Sequence, residues 1–399
     1  MQALDLDFVR GQFPAFDAPE ADGWAFFENA GGSYPCRPVV ERLTEIYSGP
    51  KSQPYWSYPA SARLGEMMDE SRTRLAAAMG VAEEEVHFGP STTQNAYVLA
   101  QAFRQTLSPG DEIIVTDQDH EANTGAWRRL AAEGFEIRVW PIDRDTGRLD
   151  PATLEDLLTE RTRLVTLPHA SNIVAAINPV AEIAHRVHAA GAVCCVDGVS
   201  YAPHGLPDVA AMGADIYLFS SYKTYGPHQG VMVIRRALAE QLANQGHYFN
   251  ASNLTAKFTP AGPDHAQIAA LAGMCDYWDD LSARHGGVPA AKLMRDAEIA
   301  VMQPLLSYLN GRNDIRLIGP ARAEERAPTF AIDHARPGED LAAALAEHGI
   351  MAGGGDFYSR RTVEALGIDP AKGVLRVSAL HYTSPEEISR LITALDQVL

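Results

Sequence analysis

Lys223 stands in "LFSSYKTYGPHQG" (residues 218–230), an amine set among aromatic residues and followed by a Gly-Pro turn. It comes directly after the apolar run "ADIYLFSS". In the same way Asp197 ends "AVCCVD", His120 follows "IIVTDQD" and Asn172 follows "LVTLPHAS". Ligands of open α/β sheets bind beyond the carboxyl ends of the strands. Each residue alone reads as an ordinary strand cap, but four polar groups at four strand ends read as a site. An amine able to form a Schiff base, a carboxylate, a flat imidazole and an amide are the equipment of covalent catalysis on a carbonyl or an amine. The stretch "GPSTTQN" (89–95) adds hydroxyls and the first N–H groups of a helix, which suit a phosphate.

The elements that position these residues follow from hydrophobic periodicity. "DESRTRLAAAMG" reads as a helix closed by Gly80, and "STTQNAYVLAQAF" as a helix with Ser91 as its N-cap. "EEVHFGP", "DEIIVTD", "FEIRVWPID", "TRLVTLPH", "AVCCVD", "ADIYLFSS" and "GVMVIRR" read as strands, most of them buried on both faces. "NPVAEIAHRVHAAG" is a helix with Pro179 near its first turn and Gly191 past its end. Strands alternating with helices imply a mostly parallel sheet with helices on both faces, an α/β fold. Residues 244–265 are polar and aperiodic and read as a long loop. One long helical stretch is expected from 265 to about 310. After it, "DIRLIG", "PTFAID" and "GVLRVSAL" alternate with helices as a small α+β domain. The expected division is an N-terminal segment 1–30 joining the small domain and the site, a large domain 31–285 and a small domain 286–399.

The totals narrow the function. The chain has 399 residues, 33 Lys and Arg against 51 Asp and Glu, and a net charge of −18. That acidic excess argues against a nucleic-acid or anionic-membrane surface. No apolar run approaches the roughly 18–20 residues needed to cross a bilayer. The first residues lack the basic and apolar regions of a signal peptide. Cys36, Cys194, Cys195 and Cys275 show no framework spacing, so a reduced, cytoplasmic setting is expected. No GxGxxG or GxxxxGK[ST] is present, which removes the usual nucleotide signatures. His185 and His188 lie three apart without a carboxylate partner and read as a solvated helix face, not a metal site. A lysine, an aspartate, a stacking histidine and a phosphate cradle together fit pyridoxal 5'-phosphate.

From "HASNIVAAINPVAEIAHRVHAAGAVCCVDG" through "ADIYLFSSYKTYGPHQGVMVI" the chain resembles the cofactor core of class V aminotransferases, the fold-type I group that contains the cysteine desulfurases. "FENAGG" and "GPHQGV" resemble its cysteine desulfurase-like branch. The 26-residue separation of Asp197 and Lys223 is the most specific match. The resemblance implies that Lys223 forms the Schiff base and shuttles protons, that Asp197 pairs with the pyridine nitrogen, and that His120 stacks on the ring. It puts Asn172 and Ser200 near the ring hydroxyl and Thr92, Thr93, Ser220 and Tyr222 around the phosphate. Arg376 in "LRVSALHY" would grip a substrate carboxylate, and Asn29 would approach the substrate. Gly262 occupies the place where a neighbouring subunit reaches the phosphate, so a homodimer is implied.

Departures from the family pattern shape the expected reaction. The stretch 351–367, "MAGGGDFYSRRTVEALG", holds no cysteine where true desulfurases carry their sulfur acceptor. Ser200 replaces a glutamine, Tyr222 a histidine, and Gly262 a threonine. Transamination or β-elimination on a small amino acid is therefore expected. An amino-acid epimerase and a non-catalytic protein that keeps the fold for binding are the alternatives. The aromatic stretch 53–63 either walls the substrate pocket or packs on the surface or an interface.

Overall fold

The computed structural model describes residues 4–399. Seven short runs of branched apolar residues form the central sheet. They are β1 (Val86–Gly89), β2 (Glu112–Thr116), β3 (Glu136–Trp140), β4 (Thr162–Pro168), β5 (Val193–Asp197), β6 (Ile216–Ser220) and β7 (Gly230–Ile234). Their spatial order is β1-β7-β6-β5-β4-β2-β3. Only β7 runs against its neighbours, because the tight turn after Lys223 sends the chain straight back beside β6. The other adjacent pairs are parallel. Strands β2, β6 and β7 are buried at every residue, as continuous apolar runs require. β3 departs from the expected full burial. It is the sheet edge, with Glu136 exposed and only Trp140 buried.

Helices fill both faces. α1 (Pro59–Ala78), α2 (Thr92–Arg104), α3 (Glu121–Arg128) and α4 (Val180–Ala189) connect or cover the strands. Ser91 caps α2 by accepting a hydrogen bond from Gln94 N at 3.2 Å. Gly191, past the end of α4, has φ +76°, a conformation that favours glycine.

Residues 265–310 are not one helix. They form His265–Ala270, α5 (Ala272–Arg284) and α6 (Ala290–Asn310). The break falls at "HGGVP", where Gly286 and Gly287 have φ +69° and +85° and a proline follows. α6 then bridges two apolar clusters. Leu293 and Met294 enter the cluster under the large sheet, and Met302, Leu305 and Leu309 enter the C-terminal one. Residues 244–265 are not bare loop either, since they carry short turns at Tyr248–Asn250 and Leu254–Lys257.

The C-terminal sheet is antiparallel, in the order β10-β11-β9-β8, built from β8 (Arg316–Leu317), β9 (Thr329–Asp333), β10 (Gly353–Gly355) and β11 (Val374–Ser378). β10 is three glycines, a strand with no side-chain pattern to announce it. α7 (Gly338–Ala346) and α8 (Pro385–Val398) cover this sheet, and Ser384 with Glu387 forms a capping box on α8. Residues Ala25–Phe26 pair in parallel with Ile350–Met351 and so tie the N-terminal segment to this region.

Candidate active site

The carboxyl ends of β4, β5 and β6 open on a cavity of about 310 Å³, lined among others by Thr92, His120, Asp197, Ser220 and Lys223. A second cavity of about 560 Å³ shares His120, Asn172 and Lys223 with the first and extends to Arg376 and Phe357. Lys223 closes a single helical turn after β6 and donates from Nζ to Ala30 O at 2.8 Å. Burial, and next the charge of Arg376, hold its pKa down at about 8, against the pull of Asp197 and Glu28.

Asp197 is the last residue of β5 and is buried. Its Oδ1 accepts a hydrogen bond from Val199 N at 2.8 Å. Burial raises its pKa to about 6, opposed by that N–H and by Lys223. A second buried acid, Asp119, went unnoticed in the sequence. It accepts from His120 N at 3.0 Å and from Asn123 Nδ2 at 2.6 Å. Burial and the nearby charge of Asp197 push its pKa well up.

His120 is the N-cap of α3. Its Nδ1 accepts from Ala122 N at 3.0 Å, which places the ring proton on Nε2. Burial, with Lys223 and Arg376 nearby, lowers its pKa to about 3, so the ring is neutral. Thr92, at the first turn of α2, shares a 2.8 Å hydrogen bond with Ser220, and Thr93 lines both cavities. Tyr222 stacks on His228 with ring centres 4.7 Å apart. Ser200 lines the first cavity.

Other candidates sit differently from expectation. Asn172 lines both cavities, but its side chain ties down a loop. It donates to Phe357 O at 3.1 Å and accepts from Ser359 Oγ at 2.7 Å. Asn29 lines neither of these two cavities, only a small hollow that it shares with Lys223 and Ser200. Its amide donates to Ser378 O at 2.7 Å and Phe26 O at 3.2 Å and accepts from Tyr382 Oη at 2.5 Å. It is buried as a brace, and its neighbours Glu28 and Ala30 line the cavity instead. Gly262 does not reach the Lys223 cavity of its own chain. It lines an adjoining hollow with Pro260 and Pro263, next to Ser91 and His228. Tyr55, Trp56 and Tyr58 stand exposed and line neither Lys223 cavity.

Arg376, on β11, faces the second cavity while nearly fully buried, at 4% exposure. Its Nη2 donates to Glu28 Oε1 at 2.8 Å, and its guanidinium centre lies 3.7 Å from the centre of the Phe357 ring. Phe357 and Tyr358 hold φ of +51° and +58°, an uncommon backbone for aromatic residues. Asp356 Oδ1 steadies the turn by accepting from Tyr358 N at 3.0 Å. Glu28 and Phe357 were both missed. A glutamate beside "NAGG" and a phenylalanine in a glycine-rich loop show their use only once residues 348 positions apart meet.

The family model "Aminotransferase class-V" matches residues 25–391. The chain belongs to that family. Among the relatives of this class-V chain, the "Aminotransferase-like protein FGM3" of Gibberella zeae is 34% identical, with 100% of this chain and 99% of that one covered. A cysteine desulfurase of Serratia proteamaculans is 30% identical over 99% of this chain and 98% of its own. The apo structure of a cysteine desulfurase from Thermococcus onnurineus NA1 superposes with a TM-score of 0.86 at 23% identity, covering 100% and 98% of the two chains, and it supports the fold-type I architecture. Class-V enzymes depend on pyridoxal phosphate, and this chain is a pyridoxal-phosphate enzyme. The residues present fit the group. An amine with a lowered pKa, a buried carboxylate, and paired hydroxyls at a helix N-terminus surround one cavity.

Proposed function

We propose that this chain acts on the α-amino group of a small amino acid, by transamination or by loss of a β-substituent, without passing sulfur to a cysteine of its own. The observation that carries the reading is the shared wall of the two cavities. Lys223 stands between a phosphate-sized cradle on one side and the buried guanidinium of Arg376 on the other.

Bound pyridoxal phosphate supplies an aldehyde for the amine and a ring that takes up the electron pair left at the α-carbon. The N-terminus of α2, with Thr92, Thr93, Ser220 and Tyr222, would hold the phosphate. Asp197, ionised above pH of about 6, would keep the pyridine nitrogen protonated. Neutral His120 would lie against the ring face, with Asn172 and Ser200 toward the ring hydroxyl. Lys223 would provide the amine that the group's aldehyde needs and the base that takes the proton at the substrate's α-carbon. With a pKa of about 8, roughly a tenth of this amine is neutral at pH 7, against less than one part in a thousand for an ordinary lysine. Arg376 would fix the carboxylate through its planar fork.

Sulfur relay lacks its thiolate. Cys36, Cys194, Cys195 and Cys275 are all buried, and none lines either Lys223 cavity. Burial pushes the thiols of Cys36 and Cys275 up to about 12, and those of Cys194 and Cys195 up as well. Residues 31–285 form the cofactor domain in this reading and 286–399 the small domain. Residues 1–30 join the small domain to the site, and a cytoplasmic homodimer is the working form. Among the described residues no helix is long and apolar enough to cross a membrane.

The purified protein should absorb visible light, and Lys223→Ala should lose the wild-type band. An amino-acid screen with assays for keto acid, ammonia and sulfide then separates the two reactions. A colourless wild type after cofactor addition would refute the reading, as would rapid conversion of cysteine to alanine, the product left when sulfur passes to an acceptor thiol.

A further inference from the structure

Arg376 is not waiting with empty hands. Its Nη2 already donates to Glu28 Oε1 at 2.8 Å, while its Nε, also buried, has no partner. The seat of Glu28 is shaped for that contact. A Cβ on Gly31 would lie 2.0 Å from Glu28 Oε2, and one on Gly353 would lie 3.3 Å from Oε1. Gly31 has an ordinary negative φ, so its bare α-carbon serves to admit the carboxylate and not to relieve the backbone. The arginine side chain is 4% exposed and the glutamate 34%, which puts the acid on the open side of the pair. A substrate carboxylate bound for Arg376 therefore meets a carboxylate already in place.

We propose that Glu28 is a specificity-determining residue that competes with the substrate's carboxylate for Arg376 and so admits two classes of substrate. An α-amino acid binds with Glu28 displaced toward solvent. A primary amine with no carboxylate on the reacting carbon binds with the Glu28–Arg376 pair intact, because the pair presents a neutral wall. The pair also spares the resting protein a buried unpaired guanidinium, which would be costly. This inference rests on reading Arg376 as the carboxylate partner in the proposed function.

The test compares L-alanine with alaninol, which has a hydroxymethyl group in place of the carboxylate, by spectral titration of the full-length pyridoxal-phosphate-loaded protein. Wild type should bind both. Glu28→Gln, which keeps the shape and drops the charge, should tighten L-alanine by roughly fivefold or more and leave alaninol no tighter. A smaller gain for alanine, or a wild type that ignores alaninol while binding alanine, overturns the proposal. A second readout needs no cofactor: calorimetric titration of propionate into the cofactor-free chain. Glu28→Gln should bind propionate more tightly than wild type by the same factor, and equal binding overturns the competition. A wild type that takes up no pyridoxal phosphate defeats the proposed reaction instead and leaves the propionate comparison standing.

Discussion

Replacing Asp197 by asparagine should make the cofactor-free fold more stable while disabling its site. Burial lifts the Asp197 pKa from an ordinary 3.8 to about 6. The sign follows from proton binding. Below about pH 4 the folded and unfolded chains both hold the proton. Between about 4 and 6 the unfolded chain releases it and the folded chain does not, so wild-type stability falls as pH rises. Above about 6 the folded chain carries a buried charge, and the loss levels off. The gap of about two pKa units corresponds to about 3 kcal/mol. Asparagine retains an oxygen for the Val199 N–H and carries no charge, so it removes the loss. Urea unfolding of the cofactor-free chains, followed by tryptophan fluorescence, should show nearly equal stability at pH 4. By pH 8 the variant should lead by about 3 kcal/mol, equivalent to a Tm higher by about 3–4 °C for a chain of this length. Removing the Asp197 charge also relieves buried Asp119, which acts in the same direction. Added pyridoxal phosphate should reverse the order by stabilising wild type more than the variant. A stability difference that is the same at pH 4 and pH 8 would refute the placement of a buried, ionised Asp197.

Two further outcomes follow from neighbouring geometry. Because the Lys223 pKa is lowered to about 8, its reactive neutral form grows as pH rises through that value; stopped-flow capture of pyridoxal phosphate by the cofactor-free chain should accelerate with a midpoint near 8, and a midpoint near 10 would show the amine to be solvated. At Gly230 an added Cβ would lie 2.4 Å from the Ser91 carbonyl carbon and 2.8 Å from Thr92 N, so Gly230→Ala must push the first turn of α2; fluorescence titration should show pyridoxal phosphate bound roughly tenfold more weakly, with a stability loss of about 1–3 kcal/mol, and unchanged affinity would mean that this turn does not hold the phosphate.

The strands carrying Asp197, Lys223 and the approach to His120 were legible because each is a short run of branched apolar residues with one polar residue at its end. Local composition carries that information, and the carboxyl-end rule turns it into a site. The interruption at 285–289 is announced by Gly286, Gly287 and Pro289, but helical periodicity resuming on both sides masks it. β10 escaped because three glycines have no side chains to alternate. Asn29 lies on the expected segment, beside Lys223, with its side-chain amide turned to the backbone. Its partners, Ser378 and Tyr382, lie some 350 positions away, and local sequence does not say whether an amide faces a cavity or the backbone behind it. Gly262 was read as a phosphate contact from a second copy, a placement that rests on resemblance alone.

The N-terminal strip explains how the buried Arg376 and the half-buried Lys223 coexist beside one another in the resting chain. Residues 25–26 pair with 350–351, and Phe27 O accepts from Ser378 N at 2.7 Å, which anchors the strip to the C-terminal sheet. Ser33 N donates to Tyr222 O at 3.1 Å, and Ser33 Oγ accepts from Tyr225 N at 2.8 Å, which anchors its other end to the lysine turn. Between these anchors Glu28 meets Arg376 and the Ala30 carbonyl meets Lys223. One short segment thus offers the anionic oxygen and the carbonyl oxygen that the two cations lack while no ligand is bound. In the proposed reading, a carboxylate bound for Arg376 or an aldehyde bound for Lys223 would replace an oxygen already in place. The entry cost would then fall on detaching residues 28 and 30, so that this strip, more than the sheet beneath it, would meter what the site accepts.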